Sequence, residues 1–156
     1  MRDMESMIAG MSNVRVMQET LSRTEMAGLV ATSDVVLSLH RAEGFGLVPA
    51  EAMLLGVPVI ATGWSGNMDF MTQQDSALVG YELVPVSDPQ GTYEVPDTYW
   101  AEADTDEAAA WLARLRADTG LRAGLATRAR EAATARFSLA AYRNAIGDSL
   151  PDPSGI

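Results

Sequence analysis

The 156-residue chain has no cysteine, no lysine and a single histidine, His40. Without cysteine there is no disulfide, no thiolate zinc site and no thiol nucleophile. One histidine excludes a multi-histidine metal centre and makes any Ser-His-Asp relay depend on His40. Positive charge is scarce too: 11 basic residues, all arginine, stand against 21 acidic ones, a formal net charge of −10. A nucleic-acid binder needs a basic stripe to displace counterions, and this chain has none. An acidic surface is equally ill matched to anionic lipid. No run approaches the roughly 20 apolar residues that span a bilayer. The opening Met1-Arg2-Asp3-Met4-Glu5 lacks the basic-then-apolar order of a signal peptide. The expectation is a soluble protein of a reducing, cytoplasmic compartment.

What is present is apolar material, 47% of residues, enough for the core of one ordinary domain. Met4, Met7, Ile8 and Met11 share one helical face, which predicts a helix over 1–12 that packs on the core or on a neighbouring segment. Val14-Arg15-Val16-Met17 reads as a short strand. Ser22 with Glu25 forms a capping box for a helix running to about Thr32. Asp34 to Leu39 hardly alternates, which predicts a strand buried on both faces. Gly44-Phe45-Gly46 is a turn. Leu47 to Leu55 is a helix with Pro49 in its first turn and Gly56 as its cap. Val57 to Ala61 is a strand, Asn67 to Met71 a short helix, and Ala77–Val79 and Leu83–Val86 further strands.

Residues 87–103 are acidic, turn-rich and aromatic, and read as an ordered excursion. Helices follow over 105–118, 119–135 and 138–147, with Trp100 and Trp111 as packing residues of this helical portion. The Arg114–Arg136 stretch reads as a solvated helix face. Alternating strands and helices imply an α/β domain with a parallel sheet and helices on both faces. Residues 1–147 are read as that domain and 148–156 as a flexible tail.

The chemistry concentrates between Ser38 and Glu51, where a strand ends at His40-Arg41, two glycines turn the chain and a helix begins. Ligands of open α/β sheets bind at such strand ends. Glycines admit a phosphate or sugar to the backbone, and a helix N-terminus offers unpaired N–H groups to an anion. Glu43 precedes the glycines and Glu51 lies a turn into the helix, roughly 6–8 Å further on. Carboxylates so separated suit two parts of one extended ligand better than one metal. The plainer reading is a tight turn and a favourable helix dipole. His40 is read as a hydrogen-bonded structural histidine rather than a ligand contact, the loop Trp64-Ser65-Gly66-Asn67 as a ligand contact or a turn in which Asn67 caps a helix, and Asp69 as facing the cleft or favouring a helix start.

The run from Glu43 through Gly44-Phe45-Gly46-Leu47-Val48-Pro49-Ala50-Glu51 to Met53 resembles the Glu-x7-Glu signature of family four retaining glycosyltransferases. The flanking Ser33–Leu39, Leu55–Thr62 and Gly63–Met71 match the same family, in a form similar to bacterial polysaccharide and lipopolysaccharide mannosyl- or rhamnosyltransferases. The resemblance covers about residues 13–145. It implies the donor-binding, C-terminal domain of the GT-B fold, a Rossmann-like sheet with a C-terminal helical segment. Residue by residue it implies that Glu51 receives the ribose hydroxyls of a nucleoside-diphosphate sugar. Glu43 would lie by the donor sugar and its phosphate as the catalytic carboxylate. The amides of Gly44, Phe45, Gly46 and Leu47 would meet sugar hydroxyls and the β-phosphate, and the backbone of Leu21 would touch the base. No metal or bound organic cofactor is implied. The acceptor would be a glycan or lipid-linked molecule held by an N-terminal domain, with peripheral association of the whole enzyme at the inner face of the membrane.

The family's Arg and Lys for the diphosphate have no counterpart in a chain without lysine; Arg41 is the candidate substitute, or else the partner of a nearby acid. The acceptor domain and the opening strand-helix-strand are absent from the resemblance. Residues 13–18 are therefore expected to form a strand with a bare edge, open to pairing with another chain. The expectation is a fragment that binds donor and by itself transfers nothing. The rivals are a sugar-nucleotide epimerase-like relative, which would lack the Glu-x7-Glu, and a non-catalytic binding or interaction module left by truncation.

Overall fold

A computed structural model of the protein describes residues 6–93 and 95–147. Residues 6–7 are helical, within the helix expected over 1–12, and the chain turns over 8–10; the first helix described over its whole length is α1, Arg23–Ala31. The capping box is formed: Glu25 N donates to the Ser22 hydroxyl at 3.3 Å, and Ser22 N donates to the Glu25 carboxylate at 2.8 Å. The Ser22 hydroxyl's bond to that carboxylate, helped by the backbone bond, holds the Glu25 carboxyl below its ordinary range.

Three parallel strands follow, β1 (Val36–Ser38), β2 (Val59–Thr62) and β3 (Ala77–Val79), in that spatial order, with α2 (Leu47–Leu54) crossing between the first two. Val36 lies opposite Val59, and Ile60 opposite Ala77. All four residues of the central strand are buried. Strand alternation sends Val59 and Ala61 to one face, where they meet Val30 of α1 and Ala52 and Met53 of α2. Ile60 joins Ala77 and Val79 in the cluster that contains Ala108 and Leu115. Those two residues belong to α3, Thr105–Ala117. Helices thus cover both faces of a Rossmann-like sheet. Each fully buried side chain such as Met53 or Ile60 contributes about 1.5–3 kcal/mol.

α4 (Thr119–Arg136) serves both layers, with Leu125 on one side and Ala129 and Ala133 on the other. Asp104 caps α3 and Asp118 caps α4 through their carboxylates. α5 (Leu139–Gly147) is the last described element. The arginines of this region sit mainly on a solvated face, as the sequence implies, and Trp111 packs beside the Ile60 cluster. The proposed tail, 148–156, lies outside the described residues.

Four expectations are corrected. Residues 14–18 form no strand; they run irregularly, since no described strand offers them a ladder. Met7 and Met11 are exposed (76% and 53%) rather than packed, and Met4 lies outside the described residues. β1 is not buried on both faces: it pairs only with β2, and Leu37 is 44% exposed. The bare edge therefore belongs to β1. Finally, the excursion contains an unforeseen strand. β4 (Tyr81–Pro85) and β5 (Tyr99–Ala103) form an antiparallel pair, with Val84 opposite Trp100. Ala101 N donates to Arg41 O at 2.9 Å, which ties this hairpin to the end of the β1 segment. No helix among the described residues is long and apolar enough to cross a membrane.

Candidate functional site

The chain leaves β1 at His40, and the imidazole organises the turn beyond it. Nε2 lies 3.0 Å from both the Trp64 carbonyl and the Asn67 Oδ1, and Nδ1 lies 3.1 Å from the Ser38 hydroxyl. Asn67 Nδ2 donates to Thr62 O at 3.0 Å, so its oxygen faces the ring. Two acceptors at Nε2 require the proton there, which leaves Nδ1 to accept from Ser38. His40 is thus a structural histidine that pins the 64–67 loop to the end of β1. Asn67, wholly buried, belongs to this network; it caps no helix. The short 3-10 turn Gly66–Asp69 replaces the helix expected over 67–71, and Asp69 is exposed on it.

The same two loops are stitched a second time. The Ser65 hydroxyl donates to Glu43 O at 2.8 Å and accepts from Glu43 N at 3.2 Å, and Gly66 N donates to Glu43 O at 3.0 Å. Ser65 holds φ 80°, an uncommon conformation for a residue with a side chain. A Cβ at Gly66 would overlap the Gly44 carbonyl, so the crossing admits only glycine. Gly46 precedes α2 in the left-handed region, φ 94°, and no side chain caps the helix start. Phe45 anchors the turn from its other side, its ring centroid 5.1 Å from Phe70 and 5.9 Å from Phe137. Its amide lies 3.4 Å from a Glu43 carboxylate oxygen.

The two carboxylates face different hollows. Glu43, half-buried, lines a cavity of about 940 Å³ with His40, Arg41, Gly44 and Ser65 on one side and Tyr93, Tyr99 and Trp100 on the other. Glu51, exposed, lines a second hollow of about 450 Å³ with Arg23, Met26 and Ala27 of α1 and Leu54 and Leu55. Leu21 is half-buried, two residues before Arg23. Leu47 opens α2 and is 68% exposed. Arg41 borders the Glu43 cavity, yet its guanidinium pairs with Glu102 and lies 4.8 Å from the centre of the Trp100 ring. Trp100, expected among the helices, therefore walls the cavity instead. No group of three or more His, Asp or Glu side chains suited to a metal is found among the described residues.

Sequence reasoning placed Ser65 in a candidate contact loop but missed its bridge to Glu43, and missed Tyr93 and Tyr99 as cavity walls. The first follows from Ser65-Gly66 standing at the same sheet edge. The second had a signal in three aromatics within eight residues of a chain that is 6% aromatic.

Residues 1–139 match the family described as "Family 4 Glycosyltransferase in conflict systems". A D-inositol 3-phosphate glycosyltransferase of Mycobacterium marinum is 33% identical over 136 residues, covering 81% of this chain and 25% of that protein. The structure superposes on Anabaena HepE in complex with UDP-glucose with a TM-score of 0.70 at 22% identity, over 95% of this chain and 35% of the other. The C-terminal domain of a group 1 glycosyl transferase (LpcC) of Francisella tularensis gives 0.63 at 20% identity, over 88% and 62%. At such identities the two superpositions speak for the fold alone. The chain spans a quarter of the length of its mycobacterial relative. It belongs to the family 4 glycosyltransferases, in the form found in conflict systems, and has the fold of the C-terminal domain of a GT-B enzyme.

Proposed function

We propose that the chain is the donor-binding domain of a retaining glycosyltransferase and takes a nucleoside-diphosphate sugar, nucleoside toward Glu51 and sugar toward Glu43. The observation that carries this reading is the presence of two carboxylates in two separate hollows, one before the uncapped start of α2 and one a turn into it. A diphosphate between them would meet the unpaired N–H groups of the first helical turn and the positive end of the helix dipole. As the bond from the sugar's anomeric carbon to the β-phosphate oxygen breaks, negative charge grows on the leaving diphosphate, where fixed N–H donors stabilise it most. HepE, whose fold this chain shares, has been solved with UDP-glucose and with UDP and glucose, which supports a donor of that class.

Leu21 would approach the base from the loop before α1. Arg41, which pairs with Glu102 at the cavity rim, is the remaining candidate for the diphosphate, and Arg41→Ala with unchanged nucleoside-diphosphate affinity would end that role. In the complete enzyme the sugar passes with retention to a glycan or lipid-linked acceptor, without a resident metal or organic cofactor. By itself this chain is expected to bind donor and to transfer nothing; measurable transfer by it would refute that.

Calorimetric titration with UDP, GDP, ADP and their hexose derivatives tests the assignment. Glu51→Gln should weaken the preferred nucleotide and its sugar derivative alike, by about tenfold or more, the worth of a hydrogen bond to a charged group. Glu43→Gln should spare the bare nucleotide and weaken only the sugar derivative. Two variants that bind like the parent chain would overturn the reading.

A further inference from the structure

The Glu43 cavity is twice the size of the Glu51 hollow, and half of its wall comes from a region without an assigned role. That region is the β4–β5 pair and the loop between its strands. Residues 88–93 of it are organised around one side chain. Asp88, 7% exposed, accepts the N–H groups of Gln90 at 3.0 Å, Thr92 at 2.8 Å and Tyr93 at 3.0 Å. Val86 N donates to Thr98 O at 3.0 Å and closes the hairpin above it. Tyr93 and Tyr99 nonetheless remain 68% and 56% exposed while lining the cavity. Tyr93, its amide held by Asp88, and Tyr99, held in β5, thus present largely uncovered rings at the cavity.

The wall's chemistry narrows the ligand. Its one arginine is turned toward Glu102 and rests on Trp100, away from the two tyrosines. Val86 and Val95 bring modest apolar surface to the lining, and Thr92, Thr98 and the two tyrosines bring hydroxyl-bearing side chains. Hydroxyl groups around a ring with an apolar face of C–H bonds match such a wall. We propose that Tyr93 and Tyr99 form a saccharide subsite in which a pyranose ring stacks, continuous with the Glu43 turn through Gly44 and Ser65. The subsite takes its orientation from the donor reading above and its existence from its own residues. The ring belongs either to the donor or to a separate acceptor saccharide.

The test compares the chain with a Tyr93→Ala/Tyr99→Ala variant by calorimetry. Ligands are UDP and GDP, then UDP-glucose and GDP-mannose, then a free mannose or glucose disaccharide with the nucleotide at saturation. The variant should bind the bare nucleotide like the parent chain and lose saccharide affinity by about fivefold or more. A loss confined to the sugar nucleotide assigns the ring to the donor; a loss seen with the free disaccharide assigns it to the acceptor. Tyr93→Phe/Tyr99→Phe should retain the affinity within about threefold, which separates stacking from a folding defect. Saccharide affinity unchanged in the alanine variant, or no saccharide bound by the parent chain, would overturn the subsite. Failure of every nucleotide to bind would instead overturn the donor reading, and the free disaccharide titrated without nucleotide would still decide this one.

Discussion

Two stretches face the same cavity and are built on opposite plans. Residues 36–71 surround it with packing: a buried central strand, a glycine crossing with no room for a methyl group, and the His40, Ser65 and Asn67 bonds that tie two loops together. Residues 81–103 surround it with a solvent-facing hairpin whose order comes from one carboxylate and from its tie to Arg41. The first is costly to perturb and suits invariant chemistry; the second can change its contacts without disturbing the core, as a specificity-determining wall should.

That contrast is broken most severely at Gly66. Gly66→Ala forces backbone apart at the crossing and should cost about 3 kcal/mol or more in urea unfolding. A loss below about 1 kcal/mol would show that the two loops are not held as described. Next comes His40→Ala, which leaves the Trp64 and Asn67 oxygens without their donor and should cost about 1–3 kcal/mol. Asn67→Ala should cost a similar amount, and the double variant less than the sum, because both act on one network. Gly46→Ala follows at about 1–2 kcal/mol, the penalty of a left-handed backbone with a Cβ.

The smallest global effect is expected on the other side of the cavity. Backbone N–H bonds, Gln90 foremost and then Tyr93, hold the Asp88 carboxyl below its ordinary range against the opposing effect of burial. A depressed carboxyl stabilises the loop fully above its unfolded pKa, and that contribution fades as pH falls through the lower folded value. Amide exchange at Gln90, Thr92 and Tyr93 should therefore be indifferent to acid until below about pH 4, beyond the intrinsic rate. Asp88→Ala should unprotect those amides at neutral pH and leave Ile60 protected. Equal loss of protection at Ile60 would show that the hairpin and the core unfold together.

The same division governs what could be read in advance. Features written in adjacent residues were legible: the Ser22–Glu25 capping box, Gly46 and Gly56 at the two ends of α2, and the strand over Val59 to Ala61. Features decided by partners far along the chain were not. Val14 to Met17 has strand composition and no ladder to join, while Tyr99 to Ala103 becomes a strand because Tyr81 to Pro85 pairs with it. The Glu43 turn was visible as a motif. Its cavity was not, because the opposite wall lies fifty residues away, and its cluster of Tyr93, Tyr99 and Trp100 does not say which edge of the sheet it faces.

The most direct test of the central assignment is a crystal structure of the chain soaked with the sugar nucleotide it binds best. The assignment predicts the nucleoside in the hollow lined by Glu51 and Arg23, the diphosphate at the start of α2 and the sugar beside Glu43. A nucleotide bound away from both carboxylates would contradict it.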